Sequence, residues 1–294
     1  MLFLGYQVYI GWDQVQPEHW QLALWNLVPA AVALLVAFLL NATMWNLVIR
    51  SHGVRLTFKK NLEIFALTSM ARRLPGAVWQ LAGRIALYRQ DGISGLAPLQ
   101  GSIWEILVQA LTALAVFQVF LPWYRSLVPP FAGYLWIILV VFLPLSLRPS
   151  LLSQALRWIQ RQFGLRWRVE SQVQSRDVWV WFLLYFASWI NGGLILYFLL
   201  RALYADVGVS WLPALCGFVA LSGMIGICVS AIPGGLGLRE VSLSMLLGHY
   251  MPASVAVGAA VVFRLWVLGG ETLYALLALS VIHLDQSRRD EPTL

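Results

Sequence analysis

Thiols and charges are scarce in this chain, and their scarcity narrows the functions open to it. Charged residues make up 11% of its 294 residues, and there are only two cysteines and four histidines. Cys216 and Cys228 lie in one apolar segment, and the histidines fall near segment ends with no HExxH pattern and no pair at ligand spacing. Redox chemistry, a disulfide framework and metal-dependent hydrolysis therefore have no support in the sequence. We expect no metal and no other cofactor.

Nucleotide-binding and acyl-transfer motifs are missing as well. The chain has no Walker A lysine motif, no G-x-S-x-G nucleophile motif and no aspartate-rich diphosphate motif. Each of these motifs places a phosphate-binding loop, a nucleophile or a metal at a fixed point of its fold. Their absence argues against an ATP-driven pump and a polyprenyl synthase, and we expect that the protein is not an enzyme.

Hydrophobic residues are abundant instead. They make up 60% of the chain, which has 15 tryptophans and a mean hydropathy of +0.74. The apolar runs reach the roughly 20 residues that a helix needs to cross a bilayer, and they lack the alternating, roughly ten-residue segments of an outer-membrane barrel. The sequence predicts an all-α polytopic integral membrane protein. Full spans are predicted at 27–49, 96–121, 131–147, 178–204 and 254–283.

The net charge of +7 is carried mainly by a few connecting stretches. Basic loops mark the cytoplasmic side of a membrane protein, so we expect the cytoplasmic (inner) membrane and no nucleic-acid partner. The stretch from Arg148 to Arg176 also has a helical apolar face, which is typical of an interfacial helix on anionic lipid headgroups. The first twenty residues lack the basic region and cleavage site of a signal peptide, and we interpret them as an interfacial or partly embedded segment.

Two apolar segments are interrupted by Pro-Gly. The segment 61–89 contains "RRLPGA" with Pro75 and Gly76, and Pro233, Gly234 and Gly235 interrupt the region 211–250. Proline and glycine weaken a helix interior, so we expect two short helices around each break, folded as a re-entrant hairpin. A second reading of 211–250 lets 211–232 cross fully. The arginines of the C-terminal tail favour the hairpin, because it leaves the tail in the cytoplasm.

The two breaks suggest an internal repeat. Pro75 and Pro233 lie 158 positions apart, and the same shift overlays the first span on the segment 178–204. One extra span, 131–147, separates the copies and inverts the second, as in transporters built from inverted repeats. We therefore expect one transmembrane domain over residues 1–290. Its parts are repeat one at about 20–121, a connecting span and basic segment at 122–176, repeat two at 177–283, and a short cytoplasmic tail at 284–294.

The breaks bring candidate binding groups into the membrane. The N-terminus of a helix presents unpaired N–H groups that bind phosphate or carboxylate, and glycines such as Gly237 allow a headgroup to come close. A charge at mid-membrane depth is costly and either pairs or functions. We interpret four arginines as a polar path for a phosphate-bearing headgroup, and three glutamates as their counter-charges or as proton carriers. These residues are Arg72, Arg84, Arg239 and Arg264, with Glu105, Glu240 and Glu271. A buried Arg-Glu pair that only fixes helix packing is the alternative.

Several of these stretches resemble the transmembrane domain of lysylphosphatidylglycerol synthases. They are "NLEIFALTSMARRLPGAVWQLAGRIALY", "GSIWEIL", "IPGGLGLREVSLSMLL" and "AVVFRLW", of which the "PGGLGxRE" element is the most specific. The resemblance implies a flippase-like role for an aminoacylated phospholipid or a polyprenyl-phosphate-linked sugar. The residues that it carries over are Pro75, Gly76, Arg84, Glu105, Pro233, Gly234, Gly235, Gly237, Glu240 and Arg264.

The chain departs from this family's pattern at two points. Ile106 follows Glu105 where the family often has an arginine, which changes the local charge balance. Only eleven residues follow His283, so we expect no aminoacyltransferase domain and no synthesis of lysyl-lipid by this chain. We expect a lipid translocase whose substrate is a phospholipid or a polyprenyl-phosphate lipid. The alternative is a non-transporting subunit that recruits or regulates an envelope-assembly enzyme through the basic segment, and a polytopic glycosyltransferase ranks last. A homo-oligomer is a possible assembly, because glycine-rich faces permit close helix packing.

Overall fold

The computed structural model describes most of the chain in several stretches. These are residues 23–71, 78–140, 148–151, 173–204, 206–230 and 237–290, with the single positions 154, 158 and 162. Six of the predicted site residues lie outside them: Arg72, Pro75, Gly76, Pro233, Gly234 and Gly235. The predicted N-terminal interfacial segment and most of the basic interfacial segment lie outside them as well.

Eight α-helices form the described part of the molecule. In chain order they are α1 (Leu27–Ser51), α2 (Phe58–Ala71), α3 (Val78–Gln90), α4 (Leu96–Phe120), α5 (Ser175–Leu203), α6 (Leu212–Ser230), α7 (Leu238–Leu247) and α8 (Ala253–Asp290). The helices α1, α4 and α5 begin and end within three residues of the predicted spans 27–49, 96–121 and 178–204. α8 continues seven residues beyond the predicted end at His283, into the predicted tail.

Five helical segments of the described residues are long and apolar enough to cross a membrane. They are Leu24–Ser51, Leu96–Trp123, Ser175–Leu203, Val209–Cys228 and Ala253–Ser280. Large apolar side chains such as Trp25, Leu183 and Leu265 are exposed on their outer faces. A surface of this kind is stable against hydrocarbon and unfavourable in water. The prediction of an all-α polytopic membrane protein is confirmed.

The predicted connecting span and the second break are described only in part. Pro130–Val140 forms a short apolar helical stretch, and 141–147 lie outside the described residues. α6 is long enough to cross a membrane by itself, so its length fits both the fully crossing and the re-entrant readings. α7 is a ten-residue helix that begins after Gly237, whose φ of +103° lies in the left-handed region that favours glycine.

The helices α1 and α5 run antiparallel and pack along their length. Near the start of α1, the N–H of Ala23 donates to the carbonyl of Ala202 over 3.0 Å. Farther along α1, the Asn41 amide donates to the Ser188 hydroxyl over 2.8 Å. Positions thus rise along α1 as they fall along α5. The predicted first spans of the two repeats have opposite directions.

The shift of 158 positions also relates the later helices. Adding 158 to the bounds of α3 gives 236 and 248, and α7 covers 238–247. The same shift moves α2 to 216–229, inside α6, and α4 to 254–278, inside α8. The packing follows this correspondence, because α2 contacts α8 while α6 contacts α4. Two of the four helices related by this shift therefore pack against the other two.

Two large apolar cores hold these helices together. One includes Trp45, Phe65, Trp104 and Trp181, which come from α1, α2, α4 and α5. The other includes residues of α4 and α5 with α6, α7 and α8, for example Phe218 and Phe263. Each core includes residues of one of the two short helices that follow a break: Tyr88 of α3 in the first core, and Leu243 and Leu247 of α7 in the second.

Candidate functional site

A buried ion pair joins α3 to α4. The side chains of Arg84 and Glu105 are 1% and 5% exposed. Arg84 Nη1 donates to Glu105 Oε2, and Nη2 donates to Oε1 over 3.3 Å, so the guanidinium engages both carboxylate oxygens. A buried charge pair is stable only when its geometry is good and its remaining polar atoms are satisfied. Both conditions depend on the groups around it.

Three neighbours surround the Arg84–Glu105 pair, although the buried Arg84 Nε has no hydrogen-bond partner among the described residues. Ser102, one turn before Glu105 on α4, accepts a hydrogen bond from Arg84 Nη1 over 3.1 Å. The Tyr185 hydroxyl of α5 donates to Glu105 Oε1 over 3.1 Å. The Trp45 ring of α1 covers the guanidinium, whose Cζ lies 3.6 Å from the ring centroid. Cation–π contact of this kind strengthens when water is excluded. Four helices therefore contribute to one closed polar site.

A chain of hydrogen bonds extends this centre toward α2. The indole N–H of Trp45 donates to the Tyr88 hydroxyl over 2.9 Å, and that hydroxyl donates to Asn61 Oδ1 over 2.8 Å. The Asn61 amide donates in turn to Asn46 Oδ1 over 2.8 Å. Sequence reasoning missed this chain. The signal was the presence of amide side chains within apolar helices, where a buried polar group requires a partner.

A second ion pair joins α7 to α8. Arg264 Nε lies 3.1 Å from Glu240 Oε1, and the two side chains are 29% and 14% exposed. Arg264 pairs here with a residue of the preceding helix and not with Glu271, seven positions ahead on α8. This single contact is looser and more accessible than the two-pronged pair of Arg84 and Glu105.

The Glu240–Arg264 pair lines an open cleft between α7 and α8. The cleft is small and partly open to the surroundings: its volume is about 10 Å³, roughly the room of one water molecule. Its walls combine three charged side chains with four apolar ones: Arg239, Glu240, Leu243, Ala260, Phe263, Arg264 and Val267. Arg239 and Glu240 belong to the first turn of α7, where the N–H groups of a helix favour an anion.

Arg239 packs beside Gly226 on α6. A Cβ at Gly226 would lie 3.5 Å from Cβ and from Cδ of Arg239, which is ordinary contact. The methylene groups of Arg239 thus pack along α6, and the residue also lines the cleft.

The remaining predicted glutamate, Glu271, lies two turns beyond Arg264 on α8 and is partly buried.

The two ion pairs connect the same kinds of helix with their charges exchanged. In each, one partner lies on the short helix after a break and the other on the long helix that follows. Position 84 shifted by 158 becomes 242, two residues from Glu240, and position 105 becomes 263, next to Arg264. The short helix carries the arginine in the first case and the glutamate in the second. Both sites contain one arginine–glutamate pair, so charge does not distinguish them, but their side chains differ in exposure.

Five of the seven predicted site residues that the structure describes fall into two groups. Arg84 and Glu105 form the closed centre, whereas Arg239, Glu240 and Arg264 line the cleft. Gly237 immediately precedes the cleft helix. Within the described stretches no group of three or more histidine, cysteine, aspartate or glutamate side chains is placed to hold a metal ion.

Comparison with known proteins supports the resemblance found in the sequence. The family model described as "Lysylphosphatidylglycerol synthase TM region" matches residues 1–273, which include every residue of both ion-pair sites. No curated protein matches the chain. Because the family model covers far more than half of the residues, the chain belongs to the family of the lysylphosphatidylglycerol synthase transmembrane region.

Proposed function

We propose that the protein is a lipid translocase of the cytoplasmic membrane. It moves an anionic or phosphate-bearing lipid, such as an aminoacylated phospholipid or a polyprenyl-phosphate-linked sugar, and performs no covalent chemistry. The observation that carries the proposal is the accessible Glu240–Arg264 pair in the cleft between α7 and α8. Membership of the transmembrane-region family supports a role in the membrane.

The cleft contains two arginine side chains that can bind a phosphate group. An arginine guanidinium matches the geometry of phosphate oxygens, and its bonds to them are charge-assisted. Arg264 is nearly a third exposed, so an anion can reach it, and Arg239 lies on the same cleft. Glu240 forms the ion pair with Arg264 when no lipid is present. A lipid phosphate then replaces one anionic partner by another, which avoids leaving the arginine without a counter-charge.

The apolar walls of the cleft suit the rest of a lipid. Leu243, Phe263 and Val267 line it beside the charged groups. Leu265, next to Arg264, is 60% exposed on the outer surface of α8. A headgroup in the cleft can therefore keep its acyl or prenyl chains in contact with hydrocarbon, where their transfer free energy is favourable.

We infer further that the chain is an inverted repeat with two re-entrant hairpins. The antiparallel packing of α1 and α5 and the 158-residue correspondence of the later helices support this architecture. In it, α2 and α3 form the first hairpin and enter from the cytoplasm, α6 and α7 form the second and enter from the opposite side, and the C-terminus is cytoplasmic. The lipid moves along a groove between the halves.

Cysteine labelling tests the inverted architecture. In a background without Cys216 and Cys228, single cysteines replace Val78 at the start of α3 and Leu238 at the start of α7, both of which are exposed. With impermeant thiol reagents we expect labelling of the two positions from opposite sides of the membrane. Labelling of both from the cytoplasmic side alone would contradict the inverted hairpins.

Reconstitution tests the transport function. The purified protein is placed in phosphatidylcholine vesicles with a trace of fluorescent phosphatidylglycerol or, separately, fluorescent polyprenyl phosphate, and an impermeant quencher reports the outer-leaflet fraction. We expect wild-type protein to move at least one of these lipids. Arg264→Gln removes a charge-assisted bond to phosphate worth roughly 1.5–3 kcal/mol, which corresponds to a rate lower by a factor of about 10 to 150.

The matched control is Arg201→Gln. Arg201 is an exposed arginine at the end of α5, and its guanidinium contacts Tyr197 outside the cleft. We expect this variant to retain the wild-type rate. A wild-type rate equal to that of protein-free vesicles would refute translocation and would favour a recruiting or regulatory subunit. Equal losses in the two variants would remove the cleft from the mechanism.

A further inference from the structure

The Arg84–Glu105 and Glu240–Arg264 pairs each join a short helix to the long helix that follows, but they differ in burial, in supporting contacts and in the space beside them. We propose that they divide the work of transport. The Arg84–Glu105 pair is a permanent lock that positions α3, and the Glu240–Arg264 pair is the one that opens and closes with the lipid. This inference rests on the proposed translocase function and assigns Arg84 and Glu105 a positioning role.

Burial is the first difference between the pairs. Arg84 and Glu105 are almost inaccessible, so separating them would leave two charges among apolar groups. The penalty for an isolated buried charge is large compared with the thermal energy. Arg264 is nearly a third exposed at an open cleft. Water or a headgroup can therefore take the place of its partner as the pair separates.

The number of supporting contacts is the second difference. Ser102, Tyr185 and the Trp45 ring all hold the Arg84–Glu105 pair in one geometry. Opening it requires movement of α1, α4 and α5 together. The Glu240–Arg264 contact is a single approach of one arginine nitrogen to one carboxylate oxygen. Rotation of either side chain breaks it without disturbing another helix.

Empty space is the third difference. The cleft beside Glu240 and Arg264 holds room for about one water and is partly open, so either of these partly exposed side chains can turn toward it, whereas the walls Leu243 and Ala260 are buried. Packed cores change between discrete arrangements only where such room exists. The motion that moves the lipid is therefore concentrated between α7 and α8, while α3 and α4 move as one body.

Distances between spin labels test this division. In the background without Cys216 and Cys228, one label pair replaces Met245 on α7 and Leu265 on α8, and a second replaces Val78 on α3 and Ile106 on α4. All four side chains are exposed, so the labels do not disturb the packing. Distances are measured by pulsed electron resonance in phosphatidylcholine vesicles with and without phosphatidylglycerol, and translocation is measured in the same vesicles.

A charge-neutralising substitution supplies a second perturbation that does not depend on the lipid. Glu240→Gln is introduced into the α7–α8 label pair, and Arg264 keeps its charge. We expect a second population, displaced by several ångströms, in the α7–α8 distances on addition of phosphatidylglycerol or on Glu240→Gln. The α3–α4 distances should keep a single population with unchanged centre in both membranes.

The possible results separate the inference from the function on which it rests. Translocation with equal shifts in both label pairs, or with none in either, overturns the division of work and leaves the translocase intact. An absence of translocation in the unlabelled wild-type protein overturns both.

A double variant checks the positioning role: Arg84→Met with Glu105→Leu replaces the buried ion pair by apolar side chains. We expect this double variant to keep its translocation rate within about threefold of wild type, because apolar replacement of a buried pair is often tolerated. A loss like that of Arg264→Gln would give the lock a direct role in binding.

Discussion

Neutralising Glu105 should destabilise the protein far more than neutralising Glu240. Glu105→Gln leaves Arg84 charged, 1% exposed and without its carboxylate, and it removes a charge-assisted acceptor from Tyr185. Removing one partner of a buried pair costs about 3–5 kcal/mol. Glu240→Gln breaks a pair whose arginine is 29% exposed. Solvent screening limits that cost to about 0–1 kcal/mol.

Thermal unfolding in detergent measures this difference. For a chain of this size a loss of 3–5 kcal/mol lowers the midpoint by roughly 5–15 °C, whereas Glu240→Gln should lower it by no more than about 3 °C. Arg84→Met combined with Glu105→Leu should recover most of the loss, because no buried charge then lacks a partner. The reasoning is refuted if Glu105→Gln unfolds within about 2 °C of Glu240→Gln under the same conditions.

Three further predictions concern packing, polar satisfaction and pH. A Cβ at Gly193 on α5 would lie 2.7 Å from the Cα of Cys216 on α6, so Gly193→Ala forces these helices apart and should lower the free energy of unfolding by about 1–3 kcal/mol. In the control Gly269→Ala on α8, the new Cβ meets no atom within 4 Å, so this variant should be neutral or slightly stabilising in the same unfolding assay. Asn61→Leu removes both hydrogen bonds that Asn61 makes in the buried chain and should cost about 1–3 kcal/mol, with an unchanged midpoint as the contrary result. Burial lowers the pKa of His52, just after α1, below 6.5, so the unfolded state binds a proton more readily than the folded state. The free energy of unfolding should therefore fall as the pH drops below about 6.5. His52→Gln should flatten this pH dependence, and an equal slope in the variant would exclude His52 as its source.

Hydropathy and helix breakers predicted most of the fold. α1, α4 and α5 follow from apolar runs of spanning length, because hydrocarbon admits only backbone that satisfies its own hydrogen bonds. α3 and α7 begin just after the two Pro-Gly breaks, where proline and glycine interrupt a helix. The C-terminal extension of α8 was missed because its last turns are polar and hydropathy carries no signal there.

The residues of the two ion pairs were predicted individually, but their partners were not. An isolated charge in an apolar helix indicates a function or a pair, and this rule selected Arg84, Glu105, Glu240 and Arg264. Which arginine pairs with which glutamate depends on the rotation and depth of each helix in the fold, and a single sequence does not give these two quantities. The separation into a closed lock and an open cleft is a tertiary property, since it depends on residues such as Tyr185 that come from another helix.

The position of the lipid phosphate tests the central claim most directly. A phosphatidylglycerol analogue with a photoreactive group at its headgroup is cross-linked to the wild-type protein in vesicles, and the modified peptides are identified by mass spectrometry. The account predicts labels on the residues of α7 and α8 that line the cleft, and loss of those labels in Arg264→Gln with retention in Arg201→Gln. Labels confined to α3 and α4, or α7–α8 labels that persist in Arg264→Gln, would contradict it.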